Sequence, residues 1–171
     1  MAKFFLVGYM GSGKTTIGKQ LATKLNYEFI DLDAFIEHEY QQTIENVFAT
    51  TGEGEFRAME HNMLKKVVEK NNIVVACGGG TPCYYGNMDL MNNNGITIYV
   101  KMSADTLISR LVNAKSSRPL LKDKTEDELR TFVSQQLEKR EDFYHQAHYV
   151  VKGKDLNVTE LAKFLKEQVG V

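Results

Sequence analysis

The chain has 171 residues, of which 43% are hydrophobic and 25% charged, and its formal net charge is −1. That length suits one domain with a sizeable core, and the near-neutral balance gives no electrostatic footprint for nucleic acid or an anionic membrane surface. No apolar run approaches membrane-spanning length, and the two cysteines, Cys77 and Cys83, have neither zinc-site nor redox-pair spacing, so reduced thiols in the cytoplasm are the expectation.

Residues 4–7, Phe-Phe-Leu-Val, read as a buried strand. Gly8-Tyr9-Met10-Gly11-Ser12-Gly13-Lys14-Thr15 follows and fits the phosphate-loop pattern of Gly, four residues, Gly, Lys, then Ser or Thr. A helix over 14–25 carries Ile17, Leu21, Ala22 and Leu25 at helical spacing. Strand, glycine-rich turn and helix form the context that gives this motif its meaning. Successive N–H groups point into one concavity, and the helix adds unpaired N–H groups and the positive end of its dipole. Lys14 is expected to reach the β- and γ-phosphates of a nucleotide, and the Thr15 hydroxyl to ligand Mg²⁺. The alternative is a chance turn with an exposed lysine, and the flanking elements weigh against it.

A second strand over 27–31 ends in acid. Residues two apart point the same way along a strand, so Asp31 and Asp33 are expected to face one site. One would hold a water on Mg²⁺, and the other would accept a proton from a substrate hydroxyl. The competing reading makes Asp33 a helix N-cap. Short helices are expected over 34–40 and 43–50, then a break at Gly52-Glu53-Gly54. A longer helix over 55–70 carries Phe56, Met59, Met63, Leu64 and Val67 on one face. Arg57 then falls in its first turn, a poor place for a cation on dipole grounds, which points to a partner elsewhere.

The apolar run 73–76 reads as a central parallel strand, and Gly78-Gly79-Gly80 stands just beyond its end. A tight turn needs one glycine; three make a bare backbone surface that a small ligand can approach closely. A helix over 85–91, a strand over 96–100 and a helix capped by Ser103 and running to 112 come next. The polar stretch 113–124 reads as a loop and contains Ser116-Ser117-Arg118-Pro119-Leu120-Leu121. An arginine there can close over a transferring phosphate. A long helix over 126–144, a strand over 148–151 and a helix over 158–168 complete the chain. Alternating strands and helices imply a parallel sheet covered on both faces, with ligands bound beyond the carboxyl ends of its strands.

Together these residues resemble the shikimate kinase family over nearly the whole chain. The likeness rests on the loop 8–15, Asp31-Leu32-Asp33, the stretch 52–57, Gly78-Gly79-Gly80, Arg118-Pro119-Leu120-Leu121, and Arg140 followed by Tyr144 and Ala147. It implies an α/β, P-loop nucleoside-monophosphate-kinase-like three-layer sandwich, with a five-stranded parallel sheet between helices. Residues 1–171 would be one domain, with a substrate-binding segment at about 33–61 and a lid at about 113–124. The implied reaction moves the γ-phosphate of ATP to the 3-hydroxyl of shikimate, in aromatic amino-acid biosynthesis.

Carried over by position, Gly11, Ser12, Gly13, Lys14, Thr15, Thr16, Arg110 and Arg118 would bind ATP. Mg²⁺ would be held by Thr15 and, through water, by Asp31. Asp33, Arg57, Gly78, Gly79, Gly80 and Arg140 would bind shikimate, with Glu60 supporting the substrate arginine. Lys14, Asp33 and Arg118 would serve the chemistry. Residues 152–157 and Arg110 are the candidates beside the adenine. Cys77 departs from the family's usual Ser or Thr, which weakens a contact toward the metal shell, and Thr81-Pro82-Cys83 is an uncommon continuation. The expected partners are small molecules, with neither nucleic acid nor membrane, and the expected form is a cytoplasmic monomer. Three alternatives compete with this reading. A gluconate kinase should lack the Asp-x-Asp and triple-glycine pair. A nucleoside monophosphate kinase usually has more lid arginines than the single Arg118 of 113–124. A non-catalytic guanine-nucleotide switch carries an Asn-Lys-x-Asp base reader, which this sequence lacks.

Overall fold

The apolar runs that read as strands come together in one parallel sheet. In the computed structural model, which describes residues 1–114 and 121–170, its strands are β1 (Lys3–Val7), β2 (Glu28–Asp31), β3 (Ile73–Ala76), β4 (Ile96–Lys101) and β5 (Tyr149–Lys152). Their order is β2-β3-β1-β4-β5, and every pairing is parallel. Side chains alternate across the sheet. Phe5, Val7, Val75 and Tyr99 enter one core, while Phe4, Leu6, Val74, Ile98 and Val100 enter the other. Both faces are buried, which is why these strands read as unbroken apolar runs.

Helices α1 (Lys14–Leu25) and α8 (Val158–Val169) cover one face through Ile17, Leu21, Leu161 and Leu165. The other face is covered by α2 (Leu32–Tyr40), α3 (Ile44–Thr50), α4 (Glu53–Val67), α5 (Asn87–Asn94), α6 (Ala104–Asn113) and α7 (Glu126–Tyr144). Ile36, Val47, Met63, Met91, Leu107 and Val133 are their contributions to that core. This is the expected three-layer sandwich.

Three local expectations need correction. Helix α2 starts directly after β2, so Asp33 sits on a helix and strand alternation does not apply to it. The N-cap is Asp31, whose carboxylate accepts from the Ala34 N–H at 3.2 Å. Helix α4 begins at Glu53, capped by Gly52, so the second glycine of Gly52-Glu53-Gly54 lies inside the helix rather than breaking it. Arg57 is therefore in the second turn, and the dipole argument for an outside partner falls away; its partner, Glu60, lies on the same helix at 3.0 Å. Helix α5 starts at Asn87 rather than 85, because Tyr85 and Gly86 both take positive φ, at 52° and 66°.

Gly95 ends α5 and leads into β4. A Cβ there would lie 2.5 Å from the Lys3 carbonyl oxygen and 2.8 Å from the Phe5 ring. A central strand cannot retreat, so Gly95→Ala should cost about 2 kcal/mol and lower Tm by about 4–8 °C. Thermal melts check this, and an unchanged Tm would show that β1 yields freely.

The register sets the site. Leu6 and Asp31 both pair with Ala76, on either side of β3. The phosphate loop, Asp31 and the triple glycine therefore leave the sheet at one level and along one edge.

Candidate active site

The glycine-rich loop joins β1 to α1. Gly13 caps the helix at φ 93°, ψ 15°, a left-handed conformation that a Cβ would strain. No side chain caps the helix and no acid stands in its first turn, so the positive end of its dipole is turned toward a bound anion without a competing carboxylate. Lys14 is buried, and its ammonium donates to the carbonyls of Gly8 at 2.6 Å and Tyr9 at 2.8 Å. Arg110, on α6, donates to the Gly11 carbonyl at 3.2 Å. Gly153 packs so closely on the loop that a Cβ would lie 3.1 Å from the Ser12 carbonyl. Both proposed neighbours of the nucleoside thus border the phosphate loop. Arg118 lies outside the described residues.

A cleft of about 330 Å³ runs from Gly11, Gly13, Lys14, Thr15 and Thr16 to Asp31, Asp33, Cys77, Gly78 and Gly79. At its phosphate end the Thr15 hydroxyl donates to the Asp31 carboxylate at 3.1 Å. Mg²⁺ prefers oxygen ligands and usually takes one or two carboxylates together with substrate phosphates. A hydroxyl and a carboxylate at the mouth of a phosphate loop fit that need. Among the described residues no cluster of three or more His, Cys, Asp or Glu forms a metal site.

The triple glycine borders the other end of the cleft through Gly78 and Gly79, and each of its three residues faces a charged side chain. A Cβ on Gly78 would lie 3.2 Å from the Asp33 Oδ1. One on Gly79 would lie 3.2 Å from an Arg140 Nη1, and one on Gly80 would overlap the Arg57 guanidinium. Gly79 also lies against the phosphate loop, 3.3 Å from Met10 N by the same measure. A carboxylate and two guanidinium groups, carried on α2, α4 and α7, thus converge on one bare strip of backbone.

The electrostatics follow from burial. Glu60 is fully buried; its Oε1 accepts from Arg57 at 3.0 Å and its Oε2 accepts from the Thr81 hydroxyl at 2.7 Å. Burial opposes the Arg57 charge, but attraction and hydrogen bonding to Glu60 prevail and raise its pKa, so it stays protonated. Asp33 is pushed up to about 6, first by desolvation and then by Glu60 and Asp31, with Lys14 and Arg57 pulling the other way. Arg140 lies over the Tyr9 ring at 5.7 Å, and the Tyr144 hydroxyl donates to the Gly79 carbonyl at 2.6 Å. The Cys77 thiol is buried, packs 3.5 Å from the Met91 sulfur, and is pushed well above its usual range by burial.

The residues themselves singled out Lys14, Asp33, Arg57 and the glycines, the family likeness added Glu60 and Arg140, and the structure sets the glycines against Asp33, Glu60, Arg57 and Arg140. Sequence reasoning missed Thr81 and Tyr9. Thr81 follows directly on the glycines, the one signal that could have marked it. Tyr9 lies inside the loop motif at a position the pattern leaves open.

A sequence model described as shikimate kinase matches residues 10–169. The shikimate kinase of Azobacteroides pseudotrichonymphae genomovar. CFP2 is 46% identical over 170 residues, covering 99% of this chain and all of that protein, 100%. That of Bacteroides thetaiotaomicron is 48% identical over 156 residues, covering 91% of this chain and 89% of that one. Among solved structures, shikimate kinase from Bacteroides thetaiotaomicron superposes with a TM-score of 0.91 at 44% identity, over 99% of both chains. Shikimate kinase from Acinetobacter baumannii in complex with shikimate gives 0.85 at 30% identity, over 99% of this chain and 94% of that one.

Proposed function

The chain belongs to the shikimate kinase family and is a kinase acting on shikimate, and on that premise we propose how its residues share the transfer of the ATP γ-phosphoryl group to the shikimate 3-hydroxyl. The observation that carries the division of labour is the strip Gly78-Gly79-Gly80, with Asp33, Arg140 and Arg57 each against one glycine. Shikimate is a small rigid acid with several hydroxyls. Arg57 and Arg140 take its carboxylate, since a guanidinium offers two parallel donors to a planar anion. The glycine backbone accepts the ring at close range. Asp33 holds the reacting hydroxyl and receives its proton.

On the nucleotide side, the loop amides of 11–16 and the Lys14 ammonium hold the β- and γ-phosphates in line with that hydroxyl. Phosphoryl transfer needs positioning and charge stabilisation more than covalent chemistry. Thr15 and, through water, Asp31 would hold Mg²⁺, which would supply a further offset to the phosphate charge. Arg110 borders the nucleoside, and Arg118, in the family's lid position, supplies another cation to the transferring group. Residues 1–171 act as one domain, with 33–61 serving the acceptor and 113–124 the lid. We place the enzyme in the cytoplasm as a monomer, without nucleic-acid or membrane partners. The net charge of −1 gives no basic footprint for nucleic acid or an anionic membrane surface, and no described helix is long and apolar enough to cross a membrane.

ADP release from ATP and Mg²⁺, measured across shikimate, gluconate and nucleoside monophosphates, tests the reading. Turnover should depend on shikimate; a rate indifferent to the acceptor, or higher with another acceptor, would contradict it.

The Asp33 carboxyl adds a pH signature. With its pKa raised to about 6, it is ionised and able to take a proton above that pH, and protonated below it. The kcat/KM for shikimate should therefore fall as pH drops through about 6, approaching tenfold per unit. A profile flat from pH 7 to pH 5 would remove Asp33 from the proton-accepting role.

A further inference from the structure

Thr81 does not line the cleft, yet all its polar groups are committed. Its N–H donates to the Gly78 carbonyl at 3.1 Å, closing the turn that carries the glycine strip. The Asn87 side-chain amide donates to its carbonyl at 3.0 Å, and its hydroxyl donates to Glu60 Oε2 at 2.7 Å. Thr81, Asn87 and Glu60 are each 0% exposed. Asn87 is anchored in turn by His61, whose Nδ1 lies 2.6 Å from its Oδ1. The glycine strip and helix α4 are thereby tied together directly through the Thr81 hydroxyl and indirectly through Asn87 and His61.

The tie matters because Arg57 is shared between two acids, its Nη1 donating to Glu60 and its Nη2 to Glu53. Glu60 sits one helical turn ahead of it at 3.0 Å, buried; Glu53 sits one turn behind at 3.4 Å, half exposed. The Arg57 guanidinium fills the space that a Cβ on Gly80 would need, so a small swing toward Glu53 would take its fork off the strip. Glu60 holds Arg57 with one oxygen only while its other oxygen is fixed. Thr81 fixes it. A carboxylate with an unmet buried oxygen is costly and would turn toward other donors, taking Arg57 with it.

We propose that Thr81 is a positioning residue for acceptor recognition, its hydroxyl locking Glu60 so that Arg57 presents its fork to the shikimate carboxylate. The proposal rests on the carboxylate-binding role of Arg57 given above. It concerns binding geometry and not phosphate chemistry, so its effect falls on one substrate.

Steady-state kinetics on purified full-length Thr81→Val, Thr81→Ala and Thr81→Ser test it, with thermal melts alongside. Valine keeps the volume and removes the hydroxyl; alanine removes the hydroxyl without crowding, should valine fold poorly; serine keeps the hydroxyl. Val and Ala should raise the KM for shikimate about tenfold, in line with losing a hydrogen bond to a charged group. The KM for ATP should stay within about twofold and kcat within about threefold, while Ser returns the KM for shikimate to near wild type. Three results would overturn the proposal: a wild-type KM for shikimate in both Val and Ala, an equal loss in Ser, or a KM for ATP that rises in step. Wild-type protein that ignores shikimate would instead overturn the reading beneath it, and this control separates the two failures.

Discussion

Asp33→Asn is expected to lower kcat by about 10²–10⁴-fold, the usual contribution of a positioned proton acceptor. An amide keeps the size and can still bond to a hydroxyl, but it cannot take the proton. The same change removes a charge that burial, Glu60 and Asp31 all oppose, since these are the groups that push the carboxyl up to about 6. Thermal stability should therefore hold or rise while activity collapses. That opposition separates a chemical role from a structural one: a folding defect would lower both. Turnover near wild type with shikimate saturating would take Asp33 out of the chemistry.

Arg57→Ala should injure both binding and fold. The guanidinium is almost wholly enclosed, with Glu60 on one side at 3.0 Å and the Tyr84 ring 4.4 Å away. Removing it leaves Glu60 buried with only the Thr81 hydroxyl as partner, and an unpaired buried charge costs about 3–5 kcal/mol. The contact with Glu53 offsets little of this, being largely solvated. Tm should drop by ~6–20 °C in a chain of this size. The KM for shikimate should rise by about 10–150-fold, the loss of a charged hydrogen-bonding partner worth roughly 1.5–3 kcal/mol, with the KM for ATP little changed. Equal losses for both substrates would contradict the carboxylate role.

These two residues also show what the sequence could carry. The phosphate loop was legible because its chemistry is contiguous: strand, glycines, lysine and helix lie in one run, and α1 begins at Lys14 as its spacing required. Asp31 and Asp33 line one cleft, as expected, but not through strand alternation. The chain turns from β2 straight into α2, and the cap that suits Asp33 on paper is made by Asp31. The glycines at 52 and 54 read as a break, whereas one caps α4 and the other is tolerated inside it. That shift moved Arg57 by a turn and hid that its partner is three residues along the same helix.

Long-range ties were the hardest to see. Thr81 and Glu60 are 21 residues apart and meet only through the fold. Tyr144 and Gly79, 65 apart, do the same. No periodicity marks such pairs, because each joins a helix to a turn distant in the chain. The family likeness supplied Arg140, and the structure supplies the reason for its place: a tyrosine ring from the phosphate loop lies beneath it.

A crystal structure of the protein with ADP and shikimate bound tests the central claim most directly. The account predicts the shikimate carboxylate between the guanidinium groups of Arg57 and Arg140, the ring on Gly78-Gly79-Gly80, and the 3-hydroxyl on Asp33, facing the phosphate loop. A shikimate whose carboxylate lies away from both arginines, or whose 3-hydroxyl turns from Asp33, would contradict it.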